Sequence, residues 1–340
     1  MSTLLLHTKL YIPPAPRTQV SRPHLVQRLD AIRDPRCRLA LVAAPPGFGK
    51  STLLSEWVAQ TGIDAAWLSL DEADNDGVRF WDYVIAALQT LYSGLGEEFL
   101  TLSHEPNPLP VETRLTLLIN EIGAERKPFV LILDDYHSIV SEPIHQALTF
   151  LLERMPSPMH LIIASRTDPP LPLSRLRARN QLVELRGADL RFNTQETACF
   201  LARMTGLKLS VQESAELEAR TEGWAAGLQL AALALQGRVD SAEFLKTFTG
   251  DHRYILDYLA DEVLDRQPES MRQFLLHTSI LHRLHGPLCE AVTGQANGQA
   301  RLERLERDNL FLVALDGQRR WYRYHQLFVD FLRTGRQSGS

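Results

Sequence analysis

Short apolar runs and amphipathic stretches alternate through the first half of the chain. Leu39 to Ala44 is an unbroken apolar run that predicts a buried strand, and Ser51 to Gln60 follows with helical periodicity. Ala65 to Leu70 predicts a second strand. Phe80, Tyr83, Val84, Ala87, Leu88 and Leu91 then recur at helical spacing. A Pro- and Gly-rich link (94–110) precedes another amphipathic stretch, Val111 to Ala124, with Leu115, Leu118, Ile119 and Ile122 on one side. Phe129 to Leu133 is apolar throughout, the pattern of a central parallel strand covered on both faces. His160 to Ser165 and Leu182 to Leu185 predict the fourth and fifth strands. The alternation predicts an α/β fold with a parallel, doubly wound sheet.

After Arg191 the strand signal stops. Asn193-Thr194-Gln195-Glu196 reads as a helix cap, Val211 to Thr221 as a helix, and Gly223 to Leu233 as a small-residue helix able to pack closely. Shorter helical patterns follow at 254–264, 271–277, 288–292 and 302–307. Phe311 to Leu315 and Trp321 to Tyr324, joined through Asp316-Gly317, predict a β-hairpin, and His325 to Leu332 predicts a closing amphipathic helix. Helices with such a hairpin predict a winged-helix domain. The expected organisation is an N-terminal arm (1–36), an α/β domain (37–191), a helical domain (192–250), a winged-helix domain (251–334) and a disordered Gly/Ser-rich tail (335–340).

The break after the first strand carries the first chemistry. Pro45, Pro46, Gly47, Phe48 and Gly49 lead into Lys50, Ser51 and Thr52 at the start of a helix. A strand, a glycine loop and a helix N-terminus form the setting of a phosphate-binding loop. Backbone amides converge there and the helix dipole favours an anion. Lys50 would reach the β- and γ-phosphates, and Ser51, with Thr52 beside it, would offer a hydroxyl to Mg²⁺. Ala44 stands where the G-x-x-x-x-G-K-[ST] pattern has its first glycine, and it is small enough for close backbone approach.

The central strand ends in Asp134 and Asp135, and ligands of open α/β sheets bind at that end of the strands. Asp134 would orient Mg²⁺. Asp135 would position the attacking water as general base. Arg166, at the end of the fourth strand, stands where a guanidinium could sense a γ-phosphate. The N-terminal arm reads in two ways: as a cover for the sheet edge, or as a wrap around the nucleotide base with Val20 packed on it and Arg22 near the phosphates. The acidic turn Asp71 to Gly77 reads as a solvated loop, because the bidentate Glu and flanking helix of a calcium loop are missing. Arg175, Arg177 and Arg179 read as a solvated helix face.

Charge and composition then narrow the classes. The net charge is −5, which argues against electrostatic nucleic-acid binding by the chain as a whole, and no dense basic face marks a recognition helix. The winged helix is therefore expected to act as an internal clamp. The three cysteines are far apart and form neither a disulfide framework nor a zinc site, which fits a cytoplasmic protein. No run approaches the ~18 apolar residues of a membrane span, so no membrane span is expected, and the first residues lack the long apolar stretch, basic flank and cleavage site that mark a secretory leader.

These segments together carry a resemblance. Thr8-Lys9-Leu10, the loop 45–52, Trp67-Leu68-Ser69-Leu70-Asp71, Leu131 to His137, Ser165-Arg166, Glu222 to Leu228 and Tyr324 to Phe328 occur in one order. The chain resembles the N-terminal ATPase portion of the large ATP-binding LuxR-type transcriptional regulators of the maltose-regulon-activator kind, within the STAND class of signal-transduction ATPases. The resemblance implies three domains closing over one ATP or ADP with Mg²⁺, and it gives Lys50, Ser51, Asp134, Asp135 and Arg166 the roles set out above. It further implies that His325 contacts the ADP β-phosphate. Relatives often carry a proline near the adenine in the helical domain. Here Gly223-Trp224-Ala225 or Gly227-Leu228-Gln229 occupies that region, so no adenine contact follows.

Two functions compete. In the first, the chain is a switch module of a transcriptional regulator: ADP holds a closed monomer, while ATP and a small-molecule inducer or regulatory protein permit self-association, with slow hydrolysis as the reset. The inducer and DNA would be bound by C-terminal regions, DNA through a helix-turn-helix, and neither region is in these residues. In the second, the loop serves an ordinary catalytic ATPase or kinase with fast turnover. Direct DNA binding through the winged helix ranks below both.

Overall fold

Strands that are apolar on both faces have one stable setting, a parallel sheet with helices on each side. The computed structural model describes residues 5–16, 18–207, 209–235 and 252–337. They fall into two compact units: one built from the segment ending at Pro16, Ser21–Ala43 and Lys50–Asp189, the other from Arg17–Val20, Ala44–Gly49 and the chain from Leu190 onward.

The first unit holds a five-stranded parallel sheet. Its strands are β1 (Leu39–Ala43), β2 (Asp64–Ser69), β3 (Phe129–Asp134), β4 (Met159–Ser165) and β5 (Leu182–Arg186), in the spatial order β2-β3-β4-β1-β5. β1, β3 and β4 are buried along their whole length. Strand β4 lies between β1 and β3, with Ser165 in register with Ala43. The C-terminal ends of these three neighbours therefore open side by side. Helices α1 (Pro23–Asp30), α2 (Lys50–Thr61), α3 (Gly77–Gln89), α4 (Glu97–Ser103), α5 (Val111–Gly123), α6 (Glu142–Arg154), α7 (Leu173–Ala178) and α8 (Gly187–Leu190) complete the unit. Trp57, Trp67, Phe80, Phe99 and Phe129 are fully buried, each worth roughly 1.5–3 kcal/mol of burial.

Two segments of this unit depart from what their sequence pattern predicts. The link 94–110 is not all loop, since α4 lies within it, started by Gly96 in the left-handed region (φ 75°) and anchored by buried Phe99. The acidic turn is not simply solvated. Asp74 is fully buried and pairs with Lys9 and with Arg79 (3.1 Å), while Lys9 also reaches Asp71 (3.0 Å). The arm is thereby fastened to the end of β2. Arg175 and Arg177 do form a solvated face, paired with Glu153 and Glu184.

In the second unit, α9 (Thr194–Thr205) and α10 (Val211–Thr221) each begin with a capping box, Asn193 with Glu196 and Ser210 with Glu213. Helix α11 (Ala225–Leu235) follows. The expected helix 254–264 is instead α12 (Arg253–Leu259) continued by a π-turn, Ala260–Leu264. Helices α13 (Glu269–Thr278), α14 (Gly286–Thr293) and α15 (Gly298–Arg307) precede the antiparallel hairpin β6 (Leu312–Ala314) and β7 (Tyr322–Tyr324). Asp316 organises the hairpin tip by accepting the amides of Gln318, Arg320 and Trp321 at 3.0–3.1 Å. Helix α16 (Gln326–Gln337) closes the unit and runs past 335, where the disordered tail is expected; 338–340 lie outside the described residues. The expected boundary between helical and winged-helix domains, at 250–251, also lies outside them. Among the described residues no helix is long and apolar enough to cross a membrane.

Candidate phosphate-binding site

The loop after β1 turns through two glycines in the left-handed region, Gly47 at φ 75° and Gly49 at φ 77°. Side chains rarely adopt that backbone, so the glycines are needed for the turn itself. Ala44 is fully buried, consistent with a small residue at the loop's entry. Lys50 opens α2 and is buried, with Ser51 and Thr52 half-buried behind it. Burial pushes the Lys50 ammonium down to about 8; the charges of Asp135 and Asp134 work against this, and Arg166 adds to it. The four groups from the ends of β1, β3 and β4 are thus within electrostatic reach of one another.

Asp134 is buried at the end of β3. One carboxylate oxygen accepts the amide of Asp135 at 3.0 Å, and the carboxylate also accepts the hydroxyl of Ser51. Burial first, and then the neighbouring charge of Asp135, raise its pKa to about 6, while Ser51, the Asp135 amide and Lys50 oppose the rise. A costly buried carboxylate beside a hydroxyl is the donor set of a hard cation bound mainly through oxygen. Among the described residues no group of three or more His, Cys, Asp or Glu could hold a metal, so this pair would share Mg²⁺ with phosphate and water oxygens. Asp135 is at φ 55°, left-handed for a residue with a side chain, and its carboxylate is half exposed, 3.8 Å from His137. Such backbone gathers at functional sites. Arg166 follows Ser165 directly at the end of β4 and is half-buried.

The arm residues are both buried. The Arg22 amide donates to Glu56 at 3.3 Å, and its guanidinium reaches the Asp189 carbonyl at 3.5 Å, which seats it at the start of α1 against α2. Val20 is buried in the second unit beside Gln19, whose carbonyl accepts from Arg203.

His325 lies in the second unit, before α16. Its Nε2 donates to the Thr221 carbonyl at 2.9 Å. Burial lowers its pKa to about 4 despite the neighbouring Glu222 carboxylate, so the ring is neutral, with Nδ1 left as an acceptor. Glu222, in the left-handed region at φ 48°, is gripped by Arg323 at 2.6 and 2.9 Å, by Arg191 at 3.2 Å and by the Gln326 amide at 2.9 Å. Burial disfavours the Glu222 charge, yet Arg323 and these neighbours outweigh it and hold the pKa at about 2.

Two features near the site have no signal in the sequence pattern. Asn75 donates to Ser138 O (2.8 Å) and accepts from the Val140 and Ser141 amides (2.7 and 3.0 Å), bracing the loop that follows Asp135. Trp224 donates its indole N–H to the Pro46 carbonyl at 3.0 Å, and the Ala226 amide donates to the Gly47 carbonyl at 2.9 Å. Nothing local in the sequence couples positions so far apart.

Comparison with known proteins adds to this geometry. Residues 21–164 match the AAA ATPase domain family, and residues 260–338 match the MalT winged helix domain family. The chain is 37% identical over 332 residues to the HTH-type transcriptional regulator MalT of Yersinia enterocolitica, and 38% identical to that of Serratia proteamaculans. Each alignment covers 97% of this chain and 36% of the relative, so the chain spans about a third of the curated relatives it matches. In fold it is similar to a Walker-type ATPase of Pyrococcus abyssi, with a TM-score of 0.62 at 17% identity, covering 95% of this chain and 99% of that one.

Proposed function

We propose that this chain, which matches an AAA ATPase domain followed by a MalT winged helix domain and is similar to the MalT regulators over 97% of its length, is an ATP/ADP-binding switch module whose nucleotide state controls self-association. The observation that carries this reading is the convergence of Lys50, Ser51, Asp134, Asp135 and Arg166 at the ends of three adjacent strands. Gly47, Phe48 and Gly49 would present backbone amides to the phosphates. Lys50 would neutralise their charge, regaining the proton affinity that burial takes from it. Ser51 and Asp134 would hold Mg²⁺, which when bound neutralises phosphate charge. Asp135 would orient the attacking water, and Arg166 would read the γ-phosphate, the group by which ATP and ADP differ. A ligand shifts such an equilibrium only by its different affinity for the two states.

His325 would need its Nδ1 protonated to donate to a β-phosphate, because Nε2 is already committed to Thr221. Val20 and Arg22 would contribute on the base side. Recognition of inducer and of DNA would belong to regions beyond these residues. The test is nucleotide binding by calorimetry. The parent protein should bind ADP or ATP with one site, and Lys50→Ala should lose at least 100-fold in affinity. Equal binding by Lys50→Ala would remove the phosphate-loop assignment. Fast steady-state turnover by the parent would favour an ordinary ATPase over the switch.

A further inference from the structure

Two carbonyls of the loop, those of Pro46 and Gly47, are taken by donors from one short stretch, Trp224 and Ala226. In a trans peptide the C=O and the following N–H point in opposite directions. A Pro46 carbonyl fixed toward Trp224 therefore turns the Gly47 amide away from it, and a Gly47 carbonyl fixed toward Ala226 does the same for the Phe48 amide. The packing agrees with a gripped outer side and an open inner side. A Cβ on Gly47 would come within 2.5 Å of Ala226 Cβ, 2.8 Å of the Tyr258 hydroxyl and 2.9 Å of Trp224 Nε1, whereas a Cβ on Gly49 would meet nothing within 4 Å. Phe48 packs on Phe311 with ring centroids 6.3 Å apart, and Phe311 meets Trp224 edge-on at 5.1 Å.

Trp224 is itself held by its neighbours in the chain. Gly223 is left-handed (φ 68°), accepts the Phe192 amide at 2.8 Å, and has no room for a Cβ, which would lie 2.4 Å from the Phe192 carbonyl. Glu222, one residue earlier, is clamped bidentately by Arg323 of β7. We propose that Trp224 is a positioning residue for the phosphate loop, turning its amides toward the anion, and that the Glu222–Arg323 ion pair sets Trp224 for that task. This rests on the nucleotide-binding reading and deepens it: nucleotide affinity becomes sensitive to a contact made by the winged-helix hairpin.

The experiment is a double-mutant cycle read by ADP titration calorimetry on the protein, with thermal unfolding of each variant recorded without nucleotide. Trp224→Phe keeps an aromatic ring but deletes the N–H together with part of the buried indole; it should weaken ADP binding about tenfold, while the nucleotide-free unfolding midpoint records the packing loss separately. Arg323→Lys loses the planar fork and should weaken ADP about threefold or more. The double variant should be no weaker than Trp224→Phe alone, because Arg323 acts through Trp224. Unchanged affinity in Trp224→Phe, or losses that simply multiply, would overturn the proposal. If Trp224→Phe fails to fold, Ala226→Pro carries the same test, since it deletes the second donor in the first turn of α11, where an amide has no partner within the helix; unchanged affinity there would overturn the proposal equally. A folded parent that binds no ADP would instead sink the nucleotide-binding reading itself.

Discussion

Asp135 combines two properties that bear on chemistry: a left-handed backbone at φ 55° and a half-exposed carboxylate beside a buried one. Asn tolerates the same backbone but cannot act as a base. Asp135→Asn is therefore expected to hold nucleotide within about threefold of the parent and to lose hydrolysis by about 10²-fold or more, measured by single-turnover phosphate release. Burial of His325 and the clamp on Glu222 make a second residue-scale prediction. The His325 pKa lies near 4 in the fold and near 6.5 in the unfolded chain, so the unfolded chain binds more protons between those values. Stability is then lost as pH falls from 6.5 to 4. Glu222, at about 2 against 4.5, loses its contribution as pH falls further through 4.5 toward 2. Urea unfolding against pH should show both steps, and His325→Gln should flatten only the upper one. The candidate site residues Lys50, Ser51, Asp134 and Asp135 stand out in the sequence because each follows an apolar strand at a break in the pattern. Asp74 does not, because its partner Lys9 is 65 positions away and pairing across such a distance leaves no local trace.

The elements were legible to the extent that their periodicity was long. All five parallel strands and the hairpin follow the apolar runs, with boundaries shifting by a residue or two. Helix α4 was hidden because Gly94, Gly96 and the prolines around it dominate the local pattern, while Phe99 supplies its anchoring burial. The arm is fixed by charges as well as by its buried apolar residues Leu10, Leu25, Leu29 and Ile32. Lys9 sits over the Tyr83 ring at 4.5 Å while pairing with Asp71 and Asp74, and the Tyr83 hydroxyl oxygen accepts the Leu6 amide at 3.1 Å. Removing Asp74 would leave Lys9 with one exposed partner and Arg79 with none at that carboxylate. Asp74→Ala should therefore destabilise the first unit by roughly 3–5 kcal/mol in urea unfolding, the cost of breaking a buried pair from one side. A change under about 1 kcal/mol would mean that the latch is a surface ornament of the fold.

At the scale of the whole molecule the balance of charge and the mixed face of α15 matter most. That helix carries Arg301, Arg304 and Arg307 among Glu303 and Glu306, with Asp308 just past its end 3.4 Å from Arg304 and Arg319 of the hairpin 3.3 Å from Glu306. Paired arginines release few counterions on DNA, so these 340 residues are expected to show only weak, sequence-independent DNA affinity that vanishes at moderate salt. What distinguishes a switch from a machine with ordinary turnover is whether the product stays bound. The most direct measurement is to denature freshly purified protein and identify the released nucleotide by chromatography. A switch that holds its product releases close to one ADP per chain. An empty site that turns over added ATP rapidly would contradict it.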